Sequence, residues 1–102
     1  MKLKRVVMDE GVRTIDYGCF GGCYDLTEIT LPETLEEVHD YAFAACSSLE
    51  EVSFGTNLRS IGHGAFQLCS SLKKVVLPGG EGVSREEDSF LDCSPELAIV
   101  KE

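Results

Sequence analysis

The residues of this sequence able to do chemistry are five cysteines, two histidines and a surplus of acids. Cys23, Cys46, Cys69 and Cys93 follow one another at intervals of 23, 23 and 24 residues. Tetrahedral zinc needs its ligands around one point at about 2.3 Å. Evenly spaced cysteines in a stacked structure form a row instead, and a row cannot enclose an ion. A disulfide between row neighbours is sterically conceivable, since about 5 Å between Cα atoms lies within its range. Small buried thiols that donate to a turn carbonyl are the plainer account. Cys19, in a small-residue slot beside Phe20, is expected to be buried too. His39 and His63 stand near the same turn of consecutive units, with Asp40 beside the first and Asp16 in the matching slot upstream. No nucleophile elbow accompanies them, so they read as surface or turn histidines. Gly79-Gly80-Glu81-Gly82 lacks the lysine and the following helix of a phosphate-binding loop. The expectation is a chain that is not an enzyme and uses no metal or cofactor.

The cysteine interval is one column of a wider repeat. Leu3, Leu26, Leu49, Leu72 and Leu97 open successive units 23, 23, 23 and 25 residues apart. Val6/Ile29/Val52/Val75, Met8/Leu31/Phe54/Leu77, Val12/Leu35/Leu58, Ile15/Val38/Ile61 and Phe20/Phe43/Phe66/Phe90 keep the same register. A small residue (Cys19, Ala42, Ala65, Ser89) precedes each phenylalanine. So many aligned columns make this a repeat protein. The units run 3–25, 26–48, 49–71 and a degenerate 72–96, with a closing strand at 97–101. All fall within a single domain, 1–102, because a chain of this length holds only one core.

Each unit opens with L-x-x-I/V-x-L/M/F, the alternation of a strand with one buried face. Pro32 and Pro78 end that strand, having no N–H to continue a ladder. A second short alternation follows, as in Leu35-Glu36-Glu37-Val38. The apolar knot Tyr41-Ala42-Phe43-Ala44-Ala45-Cys46 is expected to form one or two helical turns. No unit can bury its own Leu, Ile and Phe, whereas stacked units can, with parallel strands about 4.8 Å apart. The predicted fold is a stacked repeat coil with parallel strands along one face and short second strands and helical turns opposite. Unit four has a polar, glycine-rich middle and is expected to serve as a C-terminal cap. At the other end Val6, Met8, Val12, Ile15 and Phe20 should form an open face, which predicts self-association or partner contact through that edge.

Cys23 through Cys46 reads C-x-x-L-x-x-I-x-L-P-x-x-L-x-x-V-x-x-x-A-F-x-x-C. This resembles the BspA-like leucine-rich repeat, and the likeness extends over residues 3–100. Asp9 and Gly55 depart from it where Pro32 and Pro78 stand. The resemblance implies a right-handed leucine-rich coil used for protein–protein contact. It also implies a surface or secreted setting, adhesin-type in some members, and no catalytic residues.

Charge narrows the partner class. Eighteen acids against nine bases give a net charge of −9, the wrong sign for nucleic acid or an anionic membrane surface. Residues 26–48 carry five acids and no base. No apolar run approaches the roughly 20 residues of a membrane span, so no membrane insertion is expected. Met1 through Asp9 is charged where a signal peptide needs an apolar stretch. The outward positions of the first strands form the columns Lys4/Thr27/Glu50/Lys73, Arg5/Glu28/Glu51/Lys74 and Val7/Thr30/Ser53/Val76. Rungs Arg5–Glu28 and Glu51–Lys74 pair opposite charges, while Glu28 beside Glu51 is the unfavourable rung. Lys4, Arg5, Val7, Glu28, Thr30, Glu50, Glu51, Ser53, Lys73, Lys74 and Val76 are therefore the candidate protein-binding strip. The alternative is a spacer within a longer array, with no partner of its own.

Overall fold

The computed structural model describes residues 3–79 and 82–102; Gly80 and Glu81 of the glycine-rich stretch lie outside them, as do Met1 and Lys2. Strands β1 (Arg5–Val7), β3 (Glu28–Thr30), β5 (Glu51–Ser53), β7 (Lys74–Leu77) and β9 (Ala98–Lys101) lie on one side of a coil. The two-residue strands β2 (Thr14–Ile15), β4 (Glu37–Val38), β6 (Ser60–Ile61) and β8 (Ser84–Arg85) lie on a second. Among the described residues the strand pairs are all parallel, and equivalent residues of successive coils face each other, as in Val6↔Ile29, Val38↔Ile61 and Val52↔Val75. Strand β3 stops at Thr30, two residues before Pro32, and β7 stops directly before Pro78.

The inward columns fill the interior. Leu26, Leu49, Leu72, Val52, Val75, Val38 and Ile61 are buried. Phe20, Phe43, Phe66 and Phe90 form a stack with centroids 5.2, 5.0 and 5.5 Å apart and near-parallel rings. Each such contact adds about 0.5–1.5 kcal/mol beyond the burial of the rings. Phe54 closes on Phe66 edge to face at 6.0 Å. Among the described residues no coil covers the first one, which explains one departure from expectation. Cys19 is exposed, whereas Ala42, Ala65 and Ser89 of its column are buried. Val6, Met8, Val12 and Phe20 are only half-buried. Ile15, expected on that open face, is buried because its side chain points into the coil against the core.

The third side corrects the expected helical turn: among the described residues none is helical. In the segment Tyr41–Cys46 the amides alternate. Ala42, Ala44 and Cys46 bond back to the carbonyls of His39, Tyr41 and Phe43, three residues earlier. Tyr41, Phe43 and Ala45 instead donate to His63, Ala65 and Gln67 of the next coil at 2.7–2.9 Å. A helix would send every amide four residues back, so this side is a third ladder between coils. The alternation needs left-handed backbone at two columns four residues apart. Gly18, Tyr41 and Gly64 form one (φ 57–62°), and Gly22, Ala45, Leu68 and Asp92 the other (φ 58–74°).

The first ladder is divided. β1 pairs with β3, and β7 pairs with β5 and β9, but β3 and β5 belong to separate sheets. Lys73 and Lys74 donate to the Glu50 carbonyl and Phe54 donates to Val76, yet Glu50 and Glu51 have no such bond to Thr27, nor Leu31 to Ser53. The other sides stay joined across the same coils, through Val38↔Ile61 and Phe43 to Ala65.

Two predictions follow from this geometry. At Gly64, φ is 58° and an added Cβ would lie 2.5 Å from Tyr41 Cε1, so Gly64→Ala should cost more than about 1 kcal/mol. Leu68→Gly, at an exposed site with the same backbone, trades left-handed strain for chain entropy and should stay within about 1 kcal/mol of the parent. Urea unfolding of the two variants decides it; equal losses would refute the role given to the left-handed columns. Hydrogen exchange tests the divided ladder. The amides of Leu31 and Glu51 should exchange faster than those of Phe54 and Lys74, their counterparts one coil on, and equal protection would mean that β3 and β5 are joined.

Candidate functional site

The outward residues of the first strands are held by backbone pairing and carried by buried neighbours. Glu28 and Thr30 flank half-buried Ile29, Glu51 and Ser53 flank buried Val52, and Lys74 precedes buried Val75. Lys4, Arg5, Val7, Glu28, Thr30, Glu50, Glu51, Ser53, Lys73 and Lys74 are all exposed. Val76 is half-buried, because β9 continues the sheet past it and sets Val100 beside it.

The divided ladder groups these residues into two patches. On the first, Arg5 Nε meets Glu28 Oε2 at 2.7 Å; on the second, Lys74 Nζ stands 4.0 Å from Glu51 Oε1. Exposed pairs of this kind contribute at most about 1 kcal/mol, so they orient side chains more than they stabilise the fold. Each draws its glutamate away from the Glu28–Glu51 rung. Between the patches lies an open cleft of about 470 Å³, lined by Thr27, Glu28, Ile29, Thr30, Glu50, Glu51 and Ser53. Thr27 and Ile29 were not among the candidate residues, because the sequence marks their columns without showing that the sheet parts there.

On the second and third sides, Tyr17, Glu37, His39, Asp40, His63 and Glu86 line a smaller groove of about 320 Å³. Both histidines are exposed, as expected, and their ring nitrogens face carboxylates. His39 Nε2 is 3.4 Å from Glu37 Oε1, and His63 stands 3.2 Å from Glu86 Oε1 and 3.3 Å from Asp88 Oδ1. Among the described residues no serine or cysteine bonds to a histidine ring. No three His, Cys, Asp or Glu of those residues are placed to hold a metal ion.

The cysteine row is structural. The thiols of Cys46, Cys69 and Cys93 donate to the carbonyls of Phe20, Phe43 and Phe66 in the preceding coil at 3.1–3.2 Å. Hydrogen bonding to the flanking Cys46 and Cys93 thiols, together with burial, holds the Cys69 thiol far above its ordinary range. Burial also pushes Cys23 up, with the Cys46 thiol adding to it. Cys23 and Cys69 are thereby kept as thiols, poor nucleophiles, whereas hydrogen bonding with the Cys69 thiol lowers Cys46 and Cys93. Acids at the turns also bridge neighbouring coils. Glu33 Oε2 accepts from the Thr56 amide at 3.1 Å and hydroxyl at 2.9 Å, which lowers its carboxyl below the ordinary value. Asp40 Oδ1 accepts from the His63 amide, and Asp88 Oδ1 from that of Gly64.

Known proteins share this architecture. The model of the BspA type leucine rich repeat region matches residues 1–101 in six copies. A leucine-rich repeat protein of T. pallidum is 38% identical, with a TM-score of 0.85 over 93% of this chain and 44% of that one. The pneumococcal vaccine antigen PcpA is 24% identical, with a TM-score of 0.73 over 98% of this chain and 25% of that one. A leucine-rich cell surface protein from Faecalibacterium prausnitzii is 18% identical, with a TM-score of 0.70 over 98% of this chain and 41% of that one. The last two show likeness of fold. The chain thus spans less than half the length of each of these structures. No curated protein matches it. With its period, its stacked coils and a family model matching 1–101, the chain belongs to the BspA-type leucine-rich repeat family.

Proposed function

We propose that this chain is a non-enzymatic protein-interaction module that meets its partner on the outward face of β1, β3, β5 and β7. One observation carries the reading: inward columns keep their residue type from coil to coil, while the exposed column Lys4/Thr27/Glu50/Lys73 changes chemistry at every step. Packing explains the first set and leaves the second free for recognition. The face is broad and shallow, which suits a protein better than a small molecule. It carries no Trp or Tyr, the usual anchors of tight interfaces, so its affinity is modest. The family, and the cell-surface relative of the same fold, support a surface or secreted setting. The limited share of each related structure that the chain spans favours one second reading, a spacer segment in a longer array.

The test is affinity capture from a protein extract with three baits: the parent, a Glu28→Lys/Glu51→Lys variant and a Glu87→Lys/Glu96→Lys variant of equal charge. Proteins held by the first and third baits and released by the second support the module. Identical capture by all three, or none above bare resin, supports the spacer.

The two ends of the array differ. Arg85 stands in the core column of Ile15, Val38 and Ile61 and is exposed, so a further coil stacked there would bury an unpaired charge. We propose that 72–96 closes the single domain on that side. The first coil keeps Val6, Met8, Val12 and Phe20 half-covered, and Val7 is 64% exposed. Self-association is proposed through that coil. Light scattering after size exclusion should show a concentration-dependent dimer that Val7→Glu weakens; a strict monomer across the range removes this part of the proposal.

A further inference from the structure

The strand face is interrupted where its charge is most one-sided. Of the seven residues lining the cleft between β3 and β5, three are glutamates and none is basic. The nearest bases, Arg5 and Lys74, engage Glu28 and Glu51 from the far side of each patch. Glu50 has no ion pair among the described residues. Backbone acceptors add to the carboxylates. Among the described residues the carbonyls of Thr27 and Ser53 have no protein donor, although the equivalent Lys4 and Glu50 carbonyls each accept two amides and that of Val76 one. The cleft therefore offers several acceptors, spread along two strand edges and open to solvent.

We propose that this break seats an arginine side chain of the partner protein, an inference that rests on reading the strand face as the interaction surface. Glu50, the lining carboxylate without an ion pair among the described residues, favours a cation. The acceptors do not converge as a metal ion needs, since no three acidic groups among the described residues are placed to hold one. A guanidinium suits a dispersed set, because it presents five N–H donors in a planar fork and reaches two carboxylates or a carboxylate and a carbonyl together. A lysine ammonium is a compact, strongly hydrated point charge and satisfies fewer of these groups at once. The joined second and third sides keep the coils stacked around the gap, so the slot exists before the partner arrives and little ordering is required of it.

Amide NMR of the whole chain, titrated with a short blocked peptide of glycines around one arginine, tests the assignment. The amides of 27–31 and 50–54 should shift saturably. The lysine analogue should bind more weakly and the citrulline analogue, which has no charge, should leave the amides unmoved. Glu51→Gln should raise Kd roughly two- to fivefold, as the loss of one exposed ion pair does, while Glu87→Gln should leave it unchanged. Both substitutions are at exposed positions, and the dispersion of the same spectra reports whether the variants fold. Shifts that fail to saturate, that spread equally to Glu33, Glu86 and Asp88, or that are the same for lysine and arginine overturn the proposal. An absent arginine response beside face-dependent protein capture removes this inference alone. The loss of both removes the reading beneath it.

Discussion

Stacking of residue upon equivalent residue, one coil to the next, is the contact on which the whole molecule depends. Phe43 lies between Phe20 and Phe66, at 5.2 and 5.0 Å, and contributes to two coil interfaces at once. A single coil of two or three short strands encloses nothing, so its Leu, Val and Phe reach a dry interior only when the neighbouring coils supply the floor and ceiling. Truncation of a buried phenylalanine to alanine generally costs about 3–5 kcal/mol, a large share of what a domain of this size has to spare. The thiol row follows the same logic. A cysteine fits beneath the next coil where a longer side chain would collide, and its S–H satisfies a carbonyl that the turn leaves over.

The inward columns were readable because burial restricts what a position tolerates, and a period of 23 repeats the restriction. Pro32 and Pro78 marked strand ends for an equally local reason, the missing N–H. The third side was hidden. Tyr41 through Cys46 is rich in alanine, the best helix former, and local propensity says helix. Tertiary hydrogen bonds override it: three of its amides find carbonyls on the next coil, which stabilises Tyr41 and Ala45 in a left-handed conformation that local energetics disfavour by about 1–2 kcal/mol. The available signal was the glycine at 18, 22 and 64, which a single coil does not reveal because coil two carries Tyr and Ala at the same places. Cys19 was misplaced for a related reason. Its column is buried only where a preceding coil covers it.

The candidate face was legible in composition and illegible in shape. Alternation placed Glu28, Glu51 and their neighbours outward, and column pairing anticipated Arg5 against Glu28 and Lys74 against Glu51. That the sheet parts at the Glu28–Glu51 rung is a property of several weak terms together. Like charges directly opposite cost some tenths of a kcal/mol, too little to outweigh a row of well-made hydrogen bonds. On an exposed edge, however, each backbone bond is exchanged for one to water and its net value is only about 0.5–1.5 kcal/mol. Phe54 adds bulk at the same interface, where the neighbouring coils carry Leu31 and Leu77. None of these is decisive alone, and a column-by-column reading does not sum them.

The location of the parting follows from where the stack is strong. The interior between coils two and three is as continuous as elsewhere, with Phe43 and Phe66 inclined by 9° and Val38 paired to Ile61. Core burial and two intact ladders hold these coils together, which frees the third line of hydrogen bonds from any duty to do so. A β-sandwich that lost such a row would lose its sheet. A solenoid spreads cohesion over three sides and a core, so one side can be opened at small cost and its backbone groups offered to something else. A repeat architecture can in this way place polar backbone and paired carboxylates on a rigid support without a loop to order or a pocket to carve.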